Sequence, residues 1–284
     1  MEIINRRQRM SSIARRLRRE EDKTIGFVPT MGALHEGHLS LVREARQRCD
    51  IVIVSIFVNP AQFGRGEDFD KYPRDLTADS ALLTDYNVDY IFAPNADEIY
   101  PKGFSTYVYV ENISDLFEGA ARPGHFRGVA TIVSILFNIV RPEFAFFGQK
   151  DAQQFAVIRR MVHDLGLETE VVALPTVREE SGLALSSRNV FLSAHEREAA
   201  SVIYRALKAA KIAYKNGERD ANALGAIAAD TINAEPLARL EYVAVTDAET
   251  FEPLDKLEDE TVLILIAVRF GKTRLIDNTT LNKK

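Results

Sequence analysis

The chain has 284 residues, 46% of them hydrophobic and 27% charged, which suits a soluble globular protein of one large domain or two smaller ones. A net charge of −5 gives no global reason to expect nucleic acid or an acidic membrane as a partner, and no apolar stretch approaches the roughly 20 residues of a membrane span. The single cysteine, Cys49, forbids an intrachain disulfide and fits a reducing compartment, so a cytoplasmic location is expected; the first residues also lack the apolar core of a signal peptide.

Met1–Asn5 reads as a short strand. An arginine cluster follows (Arg6, Arg7, Arg9, Arg15, Arg16, Arg18, Arg19), with Met10, Ile13, Ala14 and Leu17 at helical spacing between them. That pattern predicts an amphipathic helix with a solvated basic face. Glu20, Glu21 and Asp22 argue against a transit peptide, and the scarcity of aromatics argues against an arm that stacks on RNA bases. Lys23–Val28 predicts a strand, Leu39–Arg48 a helix, and Asp50–Val58 a second strand. The near-continuous Val and Ile of that strand imply a sheet covered on both faces, hence parallel, with a right-handed βαβ crossover. The alternation continues with helices over Thr77–Tyr86, Ala130–Val140 and Ala152–Leu165, and strands over Val88–Ala93, Phe144–Phe147 and Glu168–Leu174. The expected fold is α/β: a Rossmann-like doubly wound parallel sheet over residues 1–178. Beyond Val177 the texture changes. A long alanine-rich helix is expected from Ser193 to Tyr214, ended by Asn216-Gly217, then a helix over Ala221–Asn233 and strand-like runs at Leu240–Val245 and Thr261–Val268. These predict a smaller α+β C-terminal domain over residues 179–284.

Four segments gather chemistry, each expected just after a strand, where parallel sheets bind ligands. The first is Pro29-Thr30-Met31-Gly32-Ala33-Leu34-His35-Glu36-Gly37-His38, where a strand gives way to a helix. Backbone N–H groups and the positive helix end favour an anion there, and two imidazoles add donors. The second is Val58-Asn59-Pro60-Ala61-Gln62-Phe63-Gly64. The third is Phe147-Gly148-Gln149-Lys150-Asp151-Ala152-Gln153-Gln154. The fourth is Leu185-Ser186-Ser187-Arg188-Asn189. Taken singly, each has a plain structural reading: a surface ion pair for Lys150 and Asp151, a turn at Asn59-Pro60, a polar loop at Ser186–Asn189. Together they offer His35, His38, Lys150 and Arg188 as cationic donors and several neutral amides and hydroxyls. That set suits a triphosphate held beside a small polar substrate, with charge stabilised during transfer at the α-phosphorus. His35-Glu36 does not begin a zinc-protease H-E-x-x-H motif, because the fifth position is Leu39, and one cysteine excludes thiolate zinc sites. P-loop, G-x-G-x-x-G and G-x-S-x-G motifs are also missing.

The first segment resembles the H-x-G-H signature of the nucleotidyltransferase superfamily, and Ser186-Ser187-Arg188 resembles that superfamily's second phosphate-binding motif. With Phe57–Phe63, Arg122-Pro123-Gly124-His125-Phe126-Arg127-Gly128-Val129-Ala130-Thr131 and the third segment, the whole chain is similar to the pantoate–β-alanine ligase (pantothenate synthetase) family. It departs at Gln149, where the family often has Glu, and at Leu185, where it often has Met. The resemblance implies that pantoate and MgATP give pantoyl adenylate and pyrophosphate, and that β-alanine then gives pantothenate and AMP. It implies an ATP site of Met31, Gly32, Ala33, Leu34, His35, Glu36, Gly37, His38, Gly148, Gln149, Lys150, Asp151, Val177, Leu185, Ser186, Ser187 and Arg188. His38, His35, Lys150 and Arg188 would be the catalytic members. Gln62 and Gln154 would hold pantoate, with Asn59, Arg122 and His125 nearby. The resemblance further implies Mg²⁺ on ATP oxygens with its protein ligands unassigned, a C-terminal domain placed to act as a lid, and a homodimer as the assembly.

Overall fold

The computed structural model describes residues 1–64, 66–258 and 261–281. The chain forms two compact units. One is Met1–Gly148 with Gln153–Pro175; the other is Gln149–Ala152 with Thr176–Lys284. Residues 149–152, which fall inside the first domain of a linear division, therefore pack with the second unit.

In the first unit, strands β1 (Glu2–Ile4), β2 (Ile25–Thr30), β3 (Ile51–Ile56), β4 (Tyr90–Phe92), β5 (Phe144–Gly148) and β6 (Glu170–Leu174) form one sheet in the order β1-β4-β3-β2-β5-β6. Every pairing is parallel. Helices α1 (Arg7–Arg19), α2 (Glu36–Arg48), α3 (Leu76–Thr84), the single turns α4 (Ala96–Ile99) and α5 (Glu118–Ala121), α6 (His125–Val140) and α7 (Ala152–Asp164) connect them. Alternate residues of each strand serve opposite faces. On β2, Val28 joins the core formed with Leu39, Val42 and Ala45 of α2, while the Phe27 ring meets Phe137 of α6. Burial on both faces is why these strands read as unbroken apolar runs. The strand order reverses beside β2, so the switch point lies between β2 and β5, where open α/β sheets bind their ligands. Four arginines of the N-terminal cluster pair with acids: Arg6 with Glu98 at 3.0 Å, Arg16 with Glu21 at 3.0 Å, Arg9 with Glu2 and Arg18 with Glu143.

In the second unit, helices α8 (Ala194–Ala200), α9 (Val202–Lys215) and α10 (Ala221–Asn233) accompany an antiparallel sheet β7-β8-β9 made of Ala238–Asp247, Val262–Phe270 and Thr273–Leu281. Its core joins Ile203, Leu207 and Leu224 to Ile264, Ile266 and Val268.

Three expectations need correction. The long helix ending at Tyr214 is two helices, divided at Ser201, whose N–H and hydroxyl both donate to the Glu198 carbonyl and tighten the turn. The helix expected from Ala130 begins at His125. Gly128 looks like a breaker, yet it lies in the second turn because a Cβ there would stand 2.2 Å from the Ala61 carbonyl oxygen. Strand β9 was not expected: Thr, Arg, Asp and Asn give it a polar texture that masks a register of nine pairs with β8.

Candidate active site

β2 delivers the chain into a turn whose conformation costs energy unless it is held. Gly32 has φ +82° and Ala33 φ +51°, the left-handed region that disfavours a side chain. Thr30 Oγ1 donates to the Ser55 carbonyl at 2.7 Å and accepts from Gly32 N–H at 3.2 Å. The next two N–H groups, of Ala33 and Leu34, donate at 3.0 and 2.8 Å to the two carboxylate oxygens of Asp79 in α3. Asp79 is 4% exposed. Burial pushes its carboxyl above the ordinary value, against the pull of those two N–H bonds, and Asp75 adds to the rise. A Cβ on residue 32 would lie 2.8 Å from this carboxylate, so glycine is needed both for its φ and for space. Asp79 escapes sequence reasoning because it sits 46 residues downstream of Ala33 on a helix that carries no motif.

The two histidines explain their own spacing. His35 is the N-cap of α2; its Nδ1 accepts from Gly37 N–H at 3.1 Å, and its own N–H donates to His38 Nδ1 at 3.3 Å. A capping box joins the N-cap to the residue three positions on, which is the separation of these imidazoles. Each Nδ1 accepts from a backbone N–H, so each ring carries its proton on Nε2 and is a neutral donor there. The ring centres are 4.1 Å apart. The backbone N–H groups of Gly32, Ala33, Leu34, His35 and Gly37 are all engaged within the fold, contrary to the expectation that they are available to an anion. The turn's capacity to meet negative charge rests instead on the imidazoles.

β3 leads to a single 3₁₀ turn, Pro60–Gln62. Gln62 is 8% exposed, and its Nε2 donates to the Met31 sulfur at 3.2 Å, which brings the second segment onto the histidine turn. Asn59 is fully employed in setting it. Its Nδ2 donates to Gln62 Oε1 at 3.0 Å and to the Gly128 carbonyl at 3.1 Å, and its Oδ1 accepts from Ala61 N–H and from the Tyr100 hydroxyl. His125 fixes the Gln62 backbone: Nδ1 meets the Gln62 carbonyl at 2.8 Å and Nε2 meets Arg122 Nη1 at 3.1 Å. A carbonyl only accepts and a guanidinium only donates, so His125 is the neutral Nδ1–H tautomer. Arg122 in turn grips Glu67 through Nε and Nη2, both at 2.8 Å. Of the three residues expected near the substrate, Asn59 and His125 thus spend polar atoms on holding Gln62, and Arg122 is shared between Glu67 and His125. Gln154 is half-buried at the start of α7, and its side chain makes no hydrogen bond among the described residues. Its neighbour Gln153 is buried and ties down the Ile113 and Leu116 carbonyls and the Glu118 N–H.

This chain of contacts makes stability depend on pH. Burial, helped by Arg122, lowers the His125 imidazole to about 4. The unfolded ring takes a proton near 6.5. Between those values the unfolded chain binds more protons, so stability is expected to fall as pH drops from about 6.5 towards 4, by on the order of 2–3 kcal/mol. Burial raises the Glu67 carboxyl, but the Arg122 hydrogen bonds and charge override it and hold it at about 2. Its stabilisation is therefore present above about 4.5 and lost only as pH falls below that value. Urea unfolding between pH 4.5 and 7 separates the histidine from Glu67, while the raised carboxyl of Asp79 acts there with the opposite sign; a slope unchanged in a His125→Asn variant would refute this origin.

The second unit carries the other two segments. Lys150 lies in the 3₁₀ turn Gln149–Asp151, its Nζ 3.6 Å from Asp151 Oδ1. Leu185 N–H donates to the Val177 carbonyl, closing a tight excursion that ends at Ser186. Ser186 caps the turn Ser187–Phe191 by accepting from Arg188 N–H at 3.3 Å. Lys150 and Ser186 line one small cavity with Tyr204 and Asp277. So the expectation that all four segments follow strands of one sheet holds for β2, β3 and β5, whereas the Ser186 turn leaves an irregular segment of the second unit.

The sequence profile of the family described as Pantoate-beta-alanine ligase matches residues 2–280. Pantothenate synthetase of Heliobacterium modesticaldum is 57% identical over 98% of this chain and 98% of its own length. The enzyme of that name from Caldicellulosiruptor bescii is 51% identical over the whole of both chains. Among solved structures, pantothenate synthetase from Thermus thermophilus superposes with a TM-score of 0.94 at 46% identity, covering 100% of both chains. Pantoate-beta-alanine ligase from Francisella tularensis, complexed with beta-gamma ATP and beta-alanine, gives 0.81 at 36% identity, covering 100% of this chain and 99% of that one. The chain belongs to the pantoate-beta-alanine ligase family.

Proposed function

We propose that this protein condenses pantoate with β-alanine at the expense of ATP, releasing AMP and pyrophosphate by way of a pantoyl adenylate. A carboxylate that attacks a polyanionic triphosphate must overcome charge repulsion, so donors around the phosphates lower the barrier. His35 and His38 supply two Nε2–H groups at the end of β2, and Lys150 and Arg188 supply cations. The remainder of the ATP site is Met31–Leu34, Glu36, Gly37, Gly148, Gln149, Asp151, Val177 and Leu185–Ser187. Gln62, clamped by Asn59 and His125, offers an amide of fixed orientation for the pantoate hydroxyls, and Gln154 offers a second. Arg122 and His125 serve the substrate through Gln62.

No group of three His, Cys, Asp or Glu fit to hold a metal occurs among the described residues. A magnesium ion carried mainly by triphosphate oxygens would spread the charge of the leaving pyrophosphate. No helix among the described residues is long and apolar enough to cross a membrane. A cytoplasmic setting is supported by the free thiol of Cys49, and a homodimer by the family likeness; light scattering reads the latter.

The observation that carries this reading is the pair of neutral imidazoles locked by reciprocal capping beside Gln62 at the switch point of the sheet. Its test is pantoate-dependent exchange of labelled pyrophosphate into ATP without β-alanine. Exchange is expected; its absence from a folded preparation overturns the adenylate route.

A further inference from the structure

β9 carries Asp277 and Asn278 side by side, both buried, although neighbouring residues of a strand point to opposite faces. One strand therefore reaches two partners. The Asp277 carboxylate takes both terminal nitrogens of Arg178, at 2.5 and 2.9 Å. Arg178 also donates to the Gly182 carbonyl at 3.1 Å and lies 4.5 Å from the centre of the Tyr204 ring. Arg178 and Gly182 belong to the excursion closed by Leu185 and Val177, from which Ser186 emerges. Asn278 acts on the other side: its Nδ2 donates to the carbonyls of Gln149 and Lys150, 2.8 Å each. A lysine stem is flexible, so its ammonium can be aimed only as well as its backbone is held. One amide gripping two successive carbonyls fixes both the position and the tilt of that turn.

We propose that Asp277 and Asn278 are positioning residues for the reaction: through Arg178 and through the Gln149–Lys150 carbonyls they set the spacing between Lys150 and the Ser186–Arg188 turn. The proposal rests on the assignment of Lys150 to ATP made above. Sequence reasoning had no route to it, since neither residue lies in a motif and β9 itself was unexpected.

The test is Asn278→Leu, which keeps the shape and removes the donors, measured beside Lys150→Met and the double variant. Asn278→Leu is expected to raise KM for ATP or slow pyrophosphate exchange by about 10–100-fold, the scale of an ångström-sized misplacement. KM for β-alanine should stay unchanged. The double variant should be no slower than Lys150→Met, because the two act as one unit. Unchanged ATP parameters, parallel shifts in both KM values, or multiplicative losses in the double variant would each overturn the proposal. Normal exchange by Lys150→Met alone would instead remove the premise about Lys150, and the proposal with it. Should Asn278→Leu not fold, Asn278→Ser and Arg178→Lys give the same comparison on the two arms.

Discussion

Replacing His38 by Asn is expected to slow pantoate-dependent pyrophosphate exchange by about 100–1000-fold, the cost of one preorganised donor to a developing anion. The melting temperature should barely move. The distinction comes from the two ring nitrogens. An Asn side chain reaches about as far as Nδ1, so its oxygen can still accept the His35 N–H that His38 Nδ1 accepts at 3.3 Å. What it lacks is the Nε2 donor. His38→Gln is the mirror experiment: its amide nitrogen reaches about as far as Nε2 and retains more activity, while the helix start loses its brace at a cost of about 1 kcal/mol. Near-normal exchange by the Asn variant would show that the imidazole serves the helix and not the phosphates.

Gly128→Ala is expected to destabilise the first unit by about 2–3 kcal/mol despite a more helix-prone residue. Alanine within a helix gains about 1 kcal/mol over glycine. Here that gain is overwhelmed, because the new methyl would stand 2.2 Å from the Ala61 oxygen and 2.4 Å from its carbon. Both are backbone atoms and cannot rotate away. The 3₁₀ turn must retreat from α6, which breaks the Asn59 bond to the Gly128 carbonyl and displaces Gln62. Urea unfolding and KM for pantoate should therefore worsen together. A variant as stable as the parent would mean that the turn and the helix separate easily.

Strongly periodic or continuous apolar segments were legible: β2 and β3 lie close to where their patterns put them because burial on both faces leaves few polar residues to confuse the reading, and α2 because Leu39, Leu41, Val42 and Ala45 mark one buried face. The histidine turn was legible as a site, but its internal wiring was not. Asp79 closes it from another helix, and the spacing of His35 and His38 encodes a capping box as much as a pair of ligands. Arg122 and His125 are expected near the substrate from the family resemblance alone. Only the positions of Glu67 and the Gln62 carbonyl reveal that they brace another residue. β9 stayed hidden because its polar residues include the two that hold other segments in place; the two-residue turn Gly271-Lys272 after β8 was the available cue.

The brief exchange of residues 149–152 between units has a consequence for dissecting the molecule. No single cut separates it into self-sufficient halves. A fragment ending near Pro175 keeps the lysine but leaves behind the asparagine that grips its peptide, and the complementary fragment keeps the clasp with nothing to hold. A cut near Pro175 therefore divides only the second unit, which loses the turn proposed above to bind ATP.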